Sequence, residues 1–191
     1  MKISLRKILF LSFSLILSVF TILILSFQYD REKEFKISQL ETTLKNITSL
    51  THNYIISNNL YLTGNIDSLS LMKSLIPGND IRITVIDLKG NVLYDSEVEN
   101  YSVMENHLNR EEIVASKISG FGAKIRKSHT TGKSYYYYAI SYPDYYIRTA
   151  KLYDIEIQNF LNVNNLFLFY ILTLLLLAGL LIFVITGKIS D

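Results

Sequence analysis

The chain has 191 residues, a formal net charge of +2, 49% hydrophobic side chains and no cysteine. The missing cysteine excludes disulfides, a thiol nucleophile and thiolate metal sites, and the near-neutral balance offers no basic stripe for nucleic acid. The length suits one compact domain beside its apolar ends.

Residues 1–7 carry Lys2, Arg6 and Lys7 without an acid. The run Ile8–Phe27 then holds no charge, and Leu166–Thr186 near the far end repeats the pattern. About 20 residues of helix cover roughly 30 Å, the hydrocarbon thickness of a bilayer. Both runs are therefore read as spanning helices in contact with lipid. The first is too long for a signal peptide, and Leu25-Ser26-Phe27-Gln28 offers no small-x-small cleavage site. Lys188 follows the second run in residues 187–191, read as the start of a cytoplasmic linker. Positive ends stay cytoplasmic, which puts both termini inside and residues 28–165 outside the plasma (inner) membrane of a bacterium. An exported domain without disulfides fits that envelope.

After the first span, Asp30-Arg31-Glu32-Lys33-Glu34 contains no breaker, and Ile37, Leu40, Leu44, Ile47, Thr51 and Tyr54 follow at helical spacing. One helix is expected over 28–57, continuing the span and interrupted at Ser57-Asn58-Asn59. Its stripe serves either the domain's own sheet or a parallel homodimer seam. Asn65 or Asp67 is expected to cap a short helix carrying Leu69, Met72 and Leu75, ended by Pro77-Gly78. Ile81–Asp87 is β-branched and alternating, and Lys89-Gly90-Asn91 turns it into Val92–Ser96. Asn109 is the expected cap of a helix over Arg110–Ile118, with Glu111 and Glu112 in its first turn and Gly120 and Gly122 as stops. Strands are expected at Ala123–Lys127, Tyr135–Ser141 and Tyr145–Ala150, joined by His129–Lys133 and by Pro143-Asp144. From Tyr153 the pattern of Ile155, Ile157, Phe160 and Leu161 is helical and leads into the second span. The expected fold class is α+β: a five-stranded antiparallel sheet with flanking helices, its sheet region at 81–150, between two transmembrane helices.

This order carries a set of residues that together resemble a known family. They are Ile83-Thr84-Val85-Ile86-Asp87, Gly90-Asn91-Val92-Leu93-Tyr94-Asp95-Ser96, Met104-Glu105-Asn106-His107, Arg110-Glu111-Glu112-Ile113, Ala115, Gly120, Arg126 with Ser128, and Tyr137-Tyr138-Ala139. The stretch resembles the extracytoplasmic sensor region of bacterial two-component sensor histidine kinases of the phosphate-regulon type, whose sensor has a PAS-like (single Cache) fold. Glu111 stands where that family usually has proline, and glutamate is acceptable in a first helical turn. The resemblance implies a signal passed through the spans to a cytoplasmic kinase that this chain does not contain. ATP, magnesium and the response regulator would belong to that missing region. The chain is accordingly expected to be the front part of a kinase or a truncated product. A stand-alone membrane-anchored accessory module, modulating a partner protein, is the alternative.

No nucleophile and base constellation or catalytic motif is present, and no metal is expected, because His107 forms no helical pair with Asp95, Glu105 or Glu112. Arg126 is expected opposite Tyr136 or Tyr138, in a pocket for an anionic metabolite, since a guanidinium offers a fork of donors. Arg82 and Arg148 are rivals for that role, and His107 is a further candidate contact. Asp95, Ser96, Asn106, Arg110 and Glu112 are read as structural, with Asp95 and Asn106 tying the loop to the following helix and Arg110 pairing a carboxylate. In the run Tyr135–Tyr138 alternate rings should face opposite sides of the sheet.

Overall fold

The computed structural model describes residues 5–76, 80–128, 132–153 and 165–190. The chain divides into two units, Lys36–Asp154 and the two chain ends.

Among the end residues, the long helix α1 (Leu5–Ser57) begins with the first apolar run, and the last helix (Asn165–Ser190) contains the second. Both hold windows of high mean hydropathy, 2.8 and 2.7, and are long and apolar enough to cross a membrane. The expected breaker at Pro77-Gly78, most of the turn His129–Lys133 and the helical pattern at 155–161 lie outside the described residues.

The Lys36–Asp154 unit is α+β. Five antiparallel strands, β1 (Ile81–Asp87), β2 (Val92–Asp95), β3 (Phe121–Lys127), β4 (Ser134–Ser141) and β5 (Tyr145–Leu152), form an open sheet in the order β2-β1-β5-β4-β3. The first strand is an interior one, between β2 and β5, and because both its faces are apolar or paired six of its seven residues are buried. Between β1 and β2 the Asp87 carboxylate accepts from the amides of Lys89 and Asn91 at 2.8 Å, which fixes the turn.

One sheet face carries Ile81, Ile83, Val85, Tyr136, Tyr138, Tyr145 and Ile147, packed with Leu44, Ile47 and Ile55 of α1. Ile37, Leu40 and Tyr54 join the same cluster, and Thr51 is fully buried. The a/d stripe is thus spent on the domain's own sheet. Two side-chain hydrogen bonds secure the seat: Thr48 and Thr149 hydroxyls meet at 2.9 Å, and Tyr136 donates to Glu41 at 3.0 Å. Burial of each large aliphatic side chain here contributes about 1.5–3 kcal/mol.

Several local expectations change. Asn59 adopts φ 51°, a left-handed conformation that asparagine tolerates, and the chain restarts as a one-turn helix α2 (Leu60–Thr63). A 3-10 turn over Ile66–Ser68 then leads into α3 (Leu69–Leu75), and neither Asn65 nor Ser68 makes a side-chain cap bond. Asp67 instead accepts from the Tyr101 hydroxyl at 2.7 Å. Leu69 and Met72 are buried as expected, but Leu75 is 79% exposed and belongs to the other face. Asn109 is not the cap of α4 (Glu111–Ser119): Arg110 occupies that position with extended dihedrals and no cap bond from its side chain. Gly120 ends α4 at φ 82°, whereas Gly122 lies inside β3. A Cβ at Gly122 would collide with the Glu112 carbonyl and stand 2.8 Å from the Ala115 Cβ. Glycine therefore lets α4 lie directly on β3, and this places Glu112. The last helix, α5, is the Asn165–Ser190 span already described.

Candidate functional site

Directly paired residues of an antiparallel sheet share a face. The register pairs Arg126 with Tyr135, Tyr137 with Ala150, Ala150 with Arg82, Ala139 with Arg148, Arg148 with Thr84, and Thr84 with Asp95. All of these lie on the face opposite α1. It carries three arginines, from β1, β3 and β5, and the Tyr137 ring. The guanidinium carbons of Arg126 and Arg148 stand 4.1 and 5.0 Å from the ring centroid. Such cation–π contacts gain from desolvation.

Each arginine has one carboxylate partner. Arg82 Nε donates to both Asp95 oxygens at 2.9–3.0 Å, and Asp95 also accepts from the Thr84 hydroxyl and the Glu97 amide. Glu112, reaching from the first turn of α4, accepts from Arg126 at 3.2 Å and Arg148 at 3.3 Å. Arg148 and Glu112 are almost wholly buried, so each depends on the other for its charge. Arg110 pairs with the exposed Glu105 at 3.0 Å.

The loop before α4 closes this face. Asn106 donates to the Lys89 carbonyl at 2.7 Å and accepts from the Leu108 amide, while the His107 amide donates to the Gly90 carbonyl at 2.8 Å. Ser96 closes the start of the loop, accepting from the Ile83 amide at 2.9 Å. His107 is turned inward and only 4% exposed. Burial first, and then the positive field of Arg148, Arg110, Arg126 and Arg82, pull its pKa down to about 3. Its imidazole is therefore neutral at physiological pH.

These side chains enclose a cavity of about 30 Å³, lined by Arg82, Arg110, Arg126, Arg148, His107, Tyr137, Ser128 and Met104. Six buried polar atoms of this cluster have no hydrogen-bond partner among the described residues: Arg82 Nη2, Arg110 Nε, Arg126 Nε, Arg148 Nε and His107 Nδ1, and the acceptor Glu112 Oε2. Leaving a buried donor unsatisfied costs about 1–3 kcal/mol. A second cavity of about 270 Å³ lies between His52, Tyr61, Tyr142, Asp144 and Tyr145. Its rings satisfy one another: His52 stacks on Tyr142 at 3.6 Å and bonds the Tyr145 hydroxyl at 3.0 Å.

The four residues expected to bind a ligand are split between faces. Arg126 and His107 reach the small cavity, but Tyr136 and Tyr138 belong to the core under α1. Tyr137, not its neighbours, is the ring that Arg126 covers. Arg82 and Arg148, read as rivals of Arg126, join it instead. Asp95 ties the β1 side chains together rather than the loop to α4, while Asn106 anchors the loop to the β1–β2 turn. Arg110 pairs a carboxylate, that of Glu105, as expected, and the ion pairs of Glu112 with Arg126 and Arg148 were not foreseen. Among the described residues no group of three His, Cys, Asp or Glu side chains gathers as a metal site would require. No protein-family model and no curated protein matches this chain.

Proposed function

We propose that the chain is the membrane-embedded input portion of a two-component sensor histidine kinase, with a PAS-like (single Cache) sensor domain outside the plasma membrane and both ends inside. One observation carries the reading: α1 is a single helix from Leu5 to Ser57, with a bilayer-length apolar stretch at its start and core-packed residues at its end. A continuous helix is a route by which displacement or rotation can pass along its axis. The sheet with α1 on one face and a charged, partly unsatisfied cavity on the other suits a domain that binds on one side and reports on the other. Five residues of the pattern resembling the phosphate-regulon sensors, Asp95, His107, Arg110, Glu112 and Arg126, are in or beside that cavity.

Binding shifts an equilibrium only through different affinity for the two states, and a tenfold preference is about 1.4 kcal/mol. In the homodimer this requires, contact would use a face of α1 other than the stripe already packed on the sheet. Inserting Gly-Gly after Glu34 in the kinase-bearing protein is expected to abolish the response of autophosphorylation to stimulus, while the domain stays folded. A stimulus response of unchanged size after the insertion would overturn the reading.

A further inference from the structure

We propose that the arginine-lined cavity of the sheet domain binds a singly charged oxyanion group of carboxylate size. The charge follows from the pairs already described. Four guanidiniums, of Arg82, Arg110, Arg126 and Arg148, face three carboxylates, of Asp95, Glu105 and Glu112, which leaves one positive charge without a counterion. His107 adds no charge near neutral pH, being neutral there.

The donors point the same way. Arg82 Nη2 and Arg148 Nε belong to side chains at most 4% exposed, and neither atom has a partner among the described residues. Arg110 Nε and Arg126 Nε add two further donors, and His107 Nδ1 a third group able to donate in one tautomer. Guanidinium N–H groups match the two oxygens of a carboxylate better than they match a spherical ion. Size limits the choice. About 10–15 Å³ of such space holds one water, so about 30 Å³ takes a group of three or four heavy atoms rather than a metabolite. Arg110 is the most exposed of the four, at 24%, and marks the side from which the group enters. The negative oxygens would stand among the arginine donors while Tyr137 backs the cavity. The occupant is either a free small anion or the carboxylate end of a larger molecule.

As a binding site this stands on the cavity alone; as the stimulus of a receptor it rests on the function proposed above. The full chain in lipid nanodiscs is titrated at pH 7 and constant ionic strength with sodium formate, acetate, butyrate, chloride or sulfate, and domain unfolding is followed by circular dichroism. Formate and acetate are expected to stabilise saturably, chloride to do nothing specific, and Arg110→Gln to weaken acetate about tenfold or more. Butyrate acting like acetate identifies the end group of a larger ligand, and butyrate excluded identifies a free small anion; both sustain the proposal. Equal effects from all five salts, sulfate binding tighter than acetate, or unchanged acetate binding in Arg110→Gln would overturn it. Should that variant not fold, the His107 ring resonances of the unaltered chain decide, moving with acetate and not with chloride if the site is real. Acetate binding with no change in kinase output would keep the site and remove the receptor reading. No binding, with the Gly-Gly insertion still uncoupling the kinase, would do the reverse.

Discussion

Glu112→Ala is expected to destabilise the sheet domain by about 3–5 kcal/mol, the cost of breaking a buried ion pair by deleting one partner. Glu112 is fully buried and answers two guanidiniums, those of Arg126 and Arg148. Removal leaves Arg148, only 2% exposed, beside Arg82 and Arg126 with no anion near it but Asp95, which Arg82 already holds. Domains are stable by only about 5–15 kcal/mol, so the loss is a large share of the total. Denaturant unfolding of the full chain in nanodiscs measures it. A second substitution discriminates the cause: adding Arg148→Met to Glu112→Ala should recover part of the loss, because it removes the stranded charge. A loss below about 1 kcal/mol for Glu112→Ala, or a double variant weaker by the full sum of both, would show that the pair is not the buried hub described.

The second large effect is a loss of stability in mild acid. His107 has a folded pKa of about 3 against an ordinary value of 6.5. Its unfolded form therefore binds a proton as pH falls through 6.5, while its folded form does not until near pH 3. The unfolded state gains, and the folded domain loses about 3 kcal/mol by pH 4. His52, lowered by burial, adds in the same direction. Asp80 and Asp87, held low by Lys151 and by the hydrogen bonds of the β1–β2 turn respectively, cost stability only below about pH 4. Between pH 6.5 and 4 both described histidines therefore act against the folded domain. His107→Gln should flatten most of the slope there with little change at pH 7.5. A slope as steep in His107→Gln as in the unaltered chain would place His107 in solvent.

The fold was legible where local chemistry is decisive. Ile81–Asp87 is β-branched and alternating, and it forms β1 with those bounds. α1 was legible because nothing between Leu5 and Ser57 breaks a helix and because its apolar spacing is regular. Caps were less legible. Asn65, Asp67 and Asn109 have cap chemistry, but Asp67 is drawn to Tyr101 and α4 starts after an extended Arg110. Gly122 looked like a helix stop because its reason, the approach of α4 to β3, is tertiary.

The site was half legible. A residue's parity along a strand is local, so the Tyr135–Tyr138 rings do face alternate sides. Which pair meets Arg126 depends on the β3–β4 register, set across a turn that composition does not fix. The meeting of Arg82 with Arg148 is longer ranged still, because β1 and β5 pair across the whole sheet region. A signal was present: Arg82 and Arg148 each stand between apolar or β-branched neighbours within a strand, which marks a buried charge, and buried charges come with partners.

The direct test of the central claim, a sheet domain outside the plasma membrane with both chain ends within the cell, is single-cysteine labelling. The chain has no cysteine of its own, so each reporter is unambiguous. Lys89→Cys, exposed at the β1–β2 turn, should react with a membrane-impermeant maleimide on intact bacteria, and Lys188→Cys should react only after permeabilisation. Labelling of Lys188→Cys on intact cells, or protection of Lys89→Cys, would contradict the account.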